Sequence, residues 1–95
     1  MRLIFRPEAK ADLRAISFYT RQNFGKRQAK IYLRRIEERC AALALRARPA
    51  MPVDDVSPGL FRAGIGSHMI FFRIDGEELL IVRVLHQSMH YKDHL

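Results

Sequence analysis

Residues 79–85, Leu-Leu-Ile-Val-Arg-Val-Leu, form the longest apolar run of this chain. Such a run reads as a central strand, which needs a hydrogen-bonded neighbour on either side. The candidates are close at hand. Residues 68–74 meet Asp75-Gly76, a hairpin signal of the type I′ kind, so they pair with 79–85 in antiparallel fashion. Residues 60–65 end at Gly66-Ser67 and supply the next strand. At the other end of the chain, residues 2–6 alternate: Leu3 and Phe5 share one side, Arg2, Ile4 and Arg6 the other. Pro7 ends that strand, since it has no N–H to give a ladder, and it suits the first turn of a helix.

Two helices fill the interval. The first is expected over residues 7–23, where Ala9, Leu13, Ile16 and Tyr19 recur at helical spacing, with Gly25 as its stop. The second is expected over residues 26–45, with Ala29, Leu33, Ile36, Cys40 and Leu43 as the buried stripe and Tyr32 widening it. So short a connection makes the pair an antiparallel hairpin. Lys26, Lys30 and Arg34, spaced by four and flanked by Arg27 and Arg35, give the second helix a basic ridge opposite its core side. Residues 47–59, punctuated by Pro49, Pro52, Pro58 and Gly59, read as an irregular linker between the layers.

The expectation is therefore an α+β fold, β-α-α-β-β-β, with a helix hairpin packed on one face of a small, mostly antiparallel sheet. Ninety-five residues make one domain, 1–95. No apolar stretch approaches the ~20 residues that span a bilayer, and Arg6 breaks the short apolar start, so neither a membrane segment nor a signal peptide is expected. The single cysteine, Cys40, excludes an internal disulfide and fits a reducing, cytoplasmic setting as a packing residue. Charge is divided unevenly. Residues 1–48 carry 13 Lys+Arg against 4 Asp+Glu, a net of +9, and residues 49–95 carry 4 against 6, a net of −2. The positive field belongs to the helical half. It is either an attraction to nucleic acid, ribosome or an acidic protein, or a solvated helix surface.

Strict alternation assigns the faces of the last three strands. Phe61, Ala63 and Ile65, then Ile70, Phe72 and Ile74, then Leu80, Val82 and Val84 carry no arginine, and are expected under the helices. The reverse face then collects Arg62, Arg73 and Arg83 with Met69, Phe71, Leu79, Ile81 and Leu85. An apolar face of this size, with one arginine per strand, is expected to be an open partner site, or else to lie partly beneath the C-terminal segment. Its chemistry also suits RNA cleavage. Arginine forks match phosphate oxygens and a histidine moves protons, which makes Arg62, Arg73, Arg83 and His86 the candidate catalytic set, with His90 and Tyr91 of suitable type. The competing reading of Arg83 is an anchor for the C-terminal segment. His86, His90 and His94 are spaced by four and four, but the segment lacks the length and cap of a stable helix, so no metal site is expected. No phosphate-binding glycine loop, dinucleotide fingerprint or nucleophile elbow occurs, and no cofactor is expected.

Taken in order, several short pieces resemble one family. They are Ala9 with Asp12-Leu13, Ile16 and Tyr19; Phe24-Gly25; Ala29 and Tyr32; Pro58-Gly59-Leu60-Phe61-Arg62; His68 with Ile70-Phe71-Phe72-Arg73; Ile81-Val82-Arg83-Val84-Leu85-His86; and the ending His94-Leu95. Together they resemble the ParE branch of the RelE/ParE superfamily of type II toxin–antitoxin toxins. The resemblance implies a toxin that stalls DNA gyrase, blocks replication and carries no conserved nuclease triad. It also implies an acidic cognate antitoxin whose flexible C-terminal segment wraps the toxin in a hetero-oligomer. That antitoxin packs near the helix hairpin and along the sheet, and the toxin reaches operator DNA only through it. The antitoxin- or target-binding residues expected on this basis are Leu79, Ile81, Arg83, Met69, Phe71, Arg73 and Arg62. The alternative is a RelE-like, ribosome-dependent mRNA endoribonuclease using Arg62, Arg73, Arg83 and His86.

Overall fold

A computed structural model describes residues 1–45 and 50–95. The chain begins with β1 (Arg2–Phe5), then forms the hairpin α1 (Pro7–Phe24) and α2 (Lys26–Ala44). It continues through β2 (Met51–Pro52), β3 (Leu60–Ile65), β4 (His68–Asp75) and β5 (Glu78–His86), and closes with a 3-10 turn at Tyr91–Asp93. The strands form one sheet in the order β1-β5-β4-β3-β2. β1 runs parallel to β5, and the other three pairings are antiparallel. The α+β architecture with its helix hairpin is as the sequence implies. The apolar 79–85 run is interior to the sheet, between β1 and β4.

One detail differs from the expectation. Part of the supposed linker is a strand: Met51 and Pro52 pair with Arg62 and Phe61, and Pro52 is tolerated because β2 lies at the sheet edge. Residues 47–49 of that linker, Pro49 among them, lie outside the described residues. The three-histidine spacing is not carried on one helix, because only 91–93 turn and that turn is 3-10.

The larger correction concerns β5. Asp75 pairs with Glu78 and Phe72 with Ile81, but Phe71 pairs with Arg83. Val82 is the extra residue of a β-bulge, which flips the side-chain parity on either side of it. Leu79 and Ile81, expected on the reverse face, are 0% exposed and belong to the core under the helices. They pack there with Ile70, Phe72, Val84 and Ala63 and with Ala9, Ile16, Ile36, Cys40 and Leu43. Val82 packs instead on the reverse side. Ile74, assigned to the helix side, is exposed near the end of β4.

The reverse face is not open. Phe71, Leu60, Leu85 and Val53 form a second buried cluster, backed by Val56, Met69, Val82 and Tyr91. The chain covers its own sheet from two directions. The 51–59 segment contributes Val53 and Val56, and the C-terminal turn lays Tyr91 against Phe71 with ring centroids 5.3 Å apart. Lys92 pairs with Asp55 at 3.1 Å and ties the two covers together at the surface.

Candidate functional site

The arginines of the reverse face are held by the chain itself. Arg62 and Arg83 both stand opposite Phe71, one on each side of β4, so they do share a face. Arg73 donates to the Ser57 hydroxyl at 2.6 Å and to the Pro58 carbonyl at 2.9 Å, pinning the 51–59 cover. The Arg62 guanidinium lies 5.7 Å from the Tyr91 ring centroid. Arg83 is the most constrained. Its Nε and Nη2 donate to the two carboxylate oxygens of Asp12 at 2.7 and 2.8 Å, and its Nη1 donates to the His94 carbonyl at 3.0 Å.

The reason for that fork lies in β1. The β1 ladder ends with Arg6 donating to the Ile81 carbonyl, because Pro7 turns the chain into α1. Beyond that point β5 has a bare edge. Asp12, one turn and a half into α1, fills it by accepting from the Val84 amide at 2.9 Å while it holds Arg83. The side-chain hydrogen bond to Asp12 raises the Arg83 pKa further above its already high ordinary value. One carboxylate thus joins α1 and β5, and Arg83 extends the link to the C-terminal segment.

The expected catalytic set is spread over three hollows, and Arg83 and His86 meet only in the groove described below. Arg62 and His86 line one beside Tyr91, and Arg73 and Arg83 line another beside Ser57 and His94. A group bound in one hollow does not meet all four.

What the chain leaves open is a different place. A groove of about 710 Å³ runs between the C-terminal half of α1, the start of α2, the β3–β4 turn and the end of β5. Its rim carries Tyr19 and Phe24, 63% and 66% exposed, and Met89. Tyr19, read from spacing as a core residue, stands outside, and Thr20 takes the buried position, its hydroxyl donating to the Ile16 carbonyl at 2.7 Å. Phe18 is equally exposed next to this rim.

The polar part of the groove is a cluster of Tyr32, Ser67, His68, His86 and Ser88. The Tyr32 hydroxyl lies 2.5 Å from His68 Nδ1 and accepts from the Ser67 amide at 3.2 Å. This close approach needs a glycine at position 66, where φ is 55° and an added Cβ would come within 2.7 Å of that hydroxyl. His68 and His86 are register partners, and their rings meet edge to face with centroids 5.2 Å apart. Burial, and then the charge of His86, lower the His68 pKa below the usual histidine value. The Ser88 amide donates to His86 Nδ1 at 3.1 Å, which places the proton of the neutral ring on Nε2.

Chemically this is an apolar trough with aromatic rims and a hydrogen-bonding floor. Its only Asp, Glu, Lys or Arg residues are Asp12 and Arg83, already spent on each other. Among the described residues no group of three or more His, Cys, Asp or Glu side chains could hold a metal ion. Cys40 is buried, and its thiol pKa is pushed up to about 12, chiefly by burial, so it is no nucleophile. No described helix is long and apolar enough to cross a membrane. Sequence reasoning passed over Asp12, Tyr32 and His68 as site residues, although each was legible as part of the family pattern.

Comparison with known proteins gives a consistent answer. A family model described as "ParE toxin of type II toxin-antitoxin system, parDE" matches residues 3–91. Toxin ParE1 of Caulobacter vibrioides is 38% identical over 87 residues, covering 92% of this chain and 90% of that protein. Toxin ParE1 of Mycobacterium tuberculosis is 36% identical, with 93% and 91% covered, and Toxin ParE of Escherichia coli is 36% identical, with 90% and 84% covered. Among solved structures, the chromosomal ParDE system of P. aeruginosa superposes with a TM-score of 0.79 at 24% identity over 90% of this chain and 95% of that one. The YoeB-YefM complex of Staphylococcus aureus gives 0.62 at 16% identity with the same coverage, a likeness of fold alone. With its pattern matched from residue 3 to residue 91, and relatives above one-third identity over nine-tenths of its length, the chain belongs to the ParE toxin family of type II toxin–antitoxin systems.

Proposed function

We propose that this protein is the cytoplasmic toxin of a type II toxin–antitoxin pair. In this reading a cognate antitoxin neutralises it by laying an apolar, partly helical segment into the groove between the helix hairpin and the end of β5. The observation that carries it is the rim: Tyr19 and Phe24 are about two-thirds exposed, and Met89 is exposed with them, around one concave apolar trough. Aromatic side chains beside a concave apolar trough are what a helix-in-groove partner uses as anchors. A partner that orders on binding suits a groove whose floor offers hydrogen bonds.

The target we infer for the free toxin is DNA gyrase, and family membership supports it. In this reading the toxin inhibits by binding and catalyses nothing. No one hollow is lined by all of Arg62, Arg73, Arg83 and His86, and the Arg83 that meets His86 in the groove is held by Asp12, which favours that over RNA cleavage. The test pairs two assays. Purified toxin added to gyrase and relaxed plasmid is expected to block supercoiling and accumulate cleaved DNA, and added to programmed ribosomes it is expected to leave the mRNA whole. Cut mRNA with unimpaired supercoiling would transfer the protein to the ribosome-dependent endoribonucleases.

A further inference from the structure

The charge of this molecule is not where the groove is. The groove's one cation and one anion neutralise each other, yet the chain carries a net +7. Much of the excess stands on the outer side of α2. Lys26, Lys30 and Arg34 follow one another at one-turn steps with Arg27 beside them, all exposed and opposite the buried Ala29, Ile36 and Cys40. None of the four is in an ion pair among the described residues.

This arrangement works against the helix that carries it. A solvated helix surface usually alternates carboxylates and ammonium groups at four-residue spacing, each such pair adding about 0.2–0.5 kcal/mol, and like charges at that spacing cost a similar amount. Here residues 26–36 hold five cations and no carboxylate, and the next carboxylates, Glu37 and Glu38, come within one turn of Arg34 and Arg35 but not of Lys26, Arg27 or Lys30. Lys26 and Arg27 also sit in the first turn, where the helix dipole is positive and no acidic residue offsets it. Local helix stability gives no reason for the Lys26, Arg27 and Lys30 end of this row, which points to something outside the helix.

We propose that the outer ridge of α2 is a second interaction surface, which grips the phosphate backbone of duplex DNA. The ridge is straight, and from position 26 to 34 it rises about 12 Å. Its cations repeat about every 6 Å, a rigid row suited to a rigid, regularly charged strand. An acidic protein segment would want several apolar anchors beside the charges; the ridge offers Ile31 alone, and the exposed aromatic residues lie at and next to the groove. Backbone contacts of this kind position a protein on DNA without reading its sequence, so this direct contact is separate from the operator recognition that the family resemblance assigns to the antitoxin. The surface is independent of the groove, and its test needs neither antitoxin nor gyrase.

The experiment is fluorescence anisotropy of a labelled 30-base-pair duplex titrated with the purified toxin, repeated with a duplex of unrelated sequence. Three phosphate contacts predict a slope of about −2.7 in log K against log salt, or about 40-fold weaker binding at 200 mM than at 50 mM. The double substitution Lys30→Gln with Arg34→Gln is expected to flatten that slope by about 2, while Lys30→Arg with Arg34→Lys keeps it. The charge-matched Lys10→Gln with Arg14→Gln on α1 is expected to leave binding within about twofold, each variant first being shown to keep its thermal midpoint. Three results would overturn the proposal. They are no binding of either duplex at 50 mM salt, an equal loss from the α1 and α2 pairs, or displacement of the duplex by single-stranded RNA of the same length at lower concentration.

Discussion

The reverse face of the sheet and the hairpin groove are both apolar regions edged with arginine and histidine, but they end differently. The reverse face is closed by its own chain, with Val53 and Val56 arriving from one side and Tyr91 from the other. The groove receives no such cover, and two aromatic rings stay in solvent at its rim. A row of apolar residues on a strand therefore says that something must cover it. Whether the cover is the chain itself or a second protein depends on which later segment can reach.

The sharpest way to break this comparison is to remove the centre of the closed face. Phe71→Ala is expected to cost about 3–5 kcal/mol, as large-to-small changes at fully buried aromatics do, read as a lower midpoint in denaturant. A stable Phe71→Ala variant that had lost only partner binding would show the reverse face to be open after all. Next in size is Arg83→Ala. It leaves the Asp12 carboxylate without its fork and the C-terminal segment without an anchor, so about 2 kcal/mol is expected. Wild-type thermal stability in that variant would show Arg83 to be a surface group whose role lies in contact with a target.

The smallest effect belongs to the groove floor. Because its pKa is lowered in the fold, His68 binds a proton more readily in the unfolded chain. Its share of stability is complete above about pH 6.5 and is lost as the pH falls below that value, levelling out only below the folded pKa. The His68→Gln variant is expected to lose less stability than the wild type between pH 7 and pH 5, measured by urea unfolding at each pH. A wild type that gains stability over that range, relative to the variant, would contradict the buried Tyr32–His68–His86 arrangement.

Much of this fold was legible in the residues. Pro7, Gly25 and Asp75-Gly76 mark the boundaries, and the apolar 79–85 run names its own position between two strands. The faces of β5 were not legible, for one reason. Alternation counts residues in twos, and the bulge at Val82 adds one. Without it His68 would oppose Leu85; with it His68 opposes His86, and the histidine pair of the groove exists because of that shift. A bulge of this kind leaves no composition signal in Ile81-Val82-Arg83. Tyr19 failed differently. Its spacing fits a buried stripe, but Thr20 takes the inward position there and Tyr19 turns to the rim of the groove. Asp12 was seen only as part of the family pattern, since its task depends on where β1 stops pairing with β5.

The central claim is that the groove, and not the reverse face, receives the antitoxin. The most direct measurement is a calorimetric titration of the cognate antitoxin into the wild-type toxin, Phe24→Ser and Arg62→Ser. Phe24 lies at the surface and Arg62 is half-buried over the Tyr91 ring, and stability is expected to change by less than about 0.5 kcal/mol for Phe24→Ser. The account predicts that Phe24→Ser weakens binding by about tenfold or more, and that Arg62→Ser stays within about twofold of wild type. The opposite ranking, with Arg62→Ser the damaging change and Phe24→Ser without effect, would place the antitoxin on the face that the chain covers itself and would contradict the account.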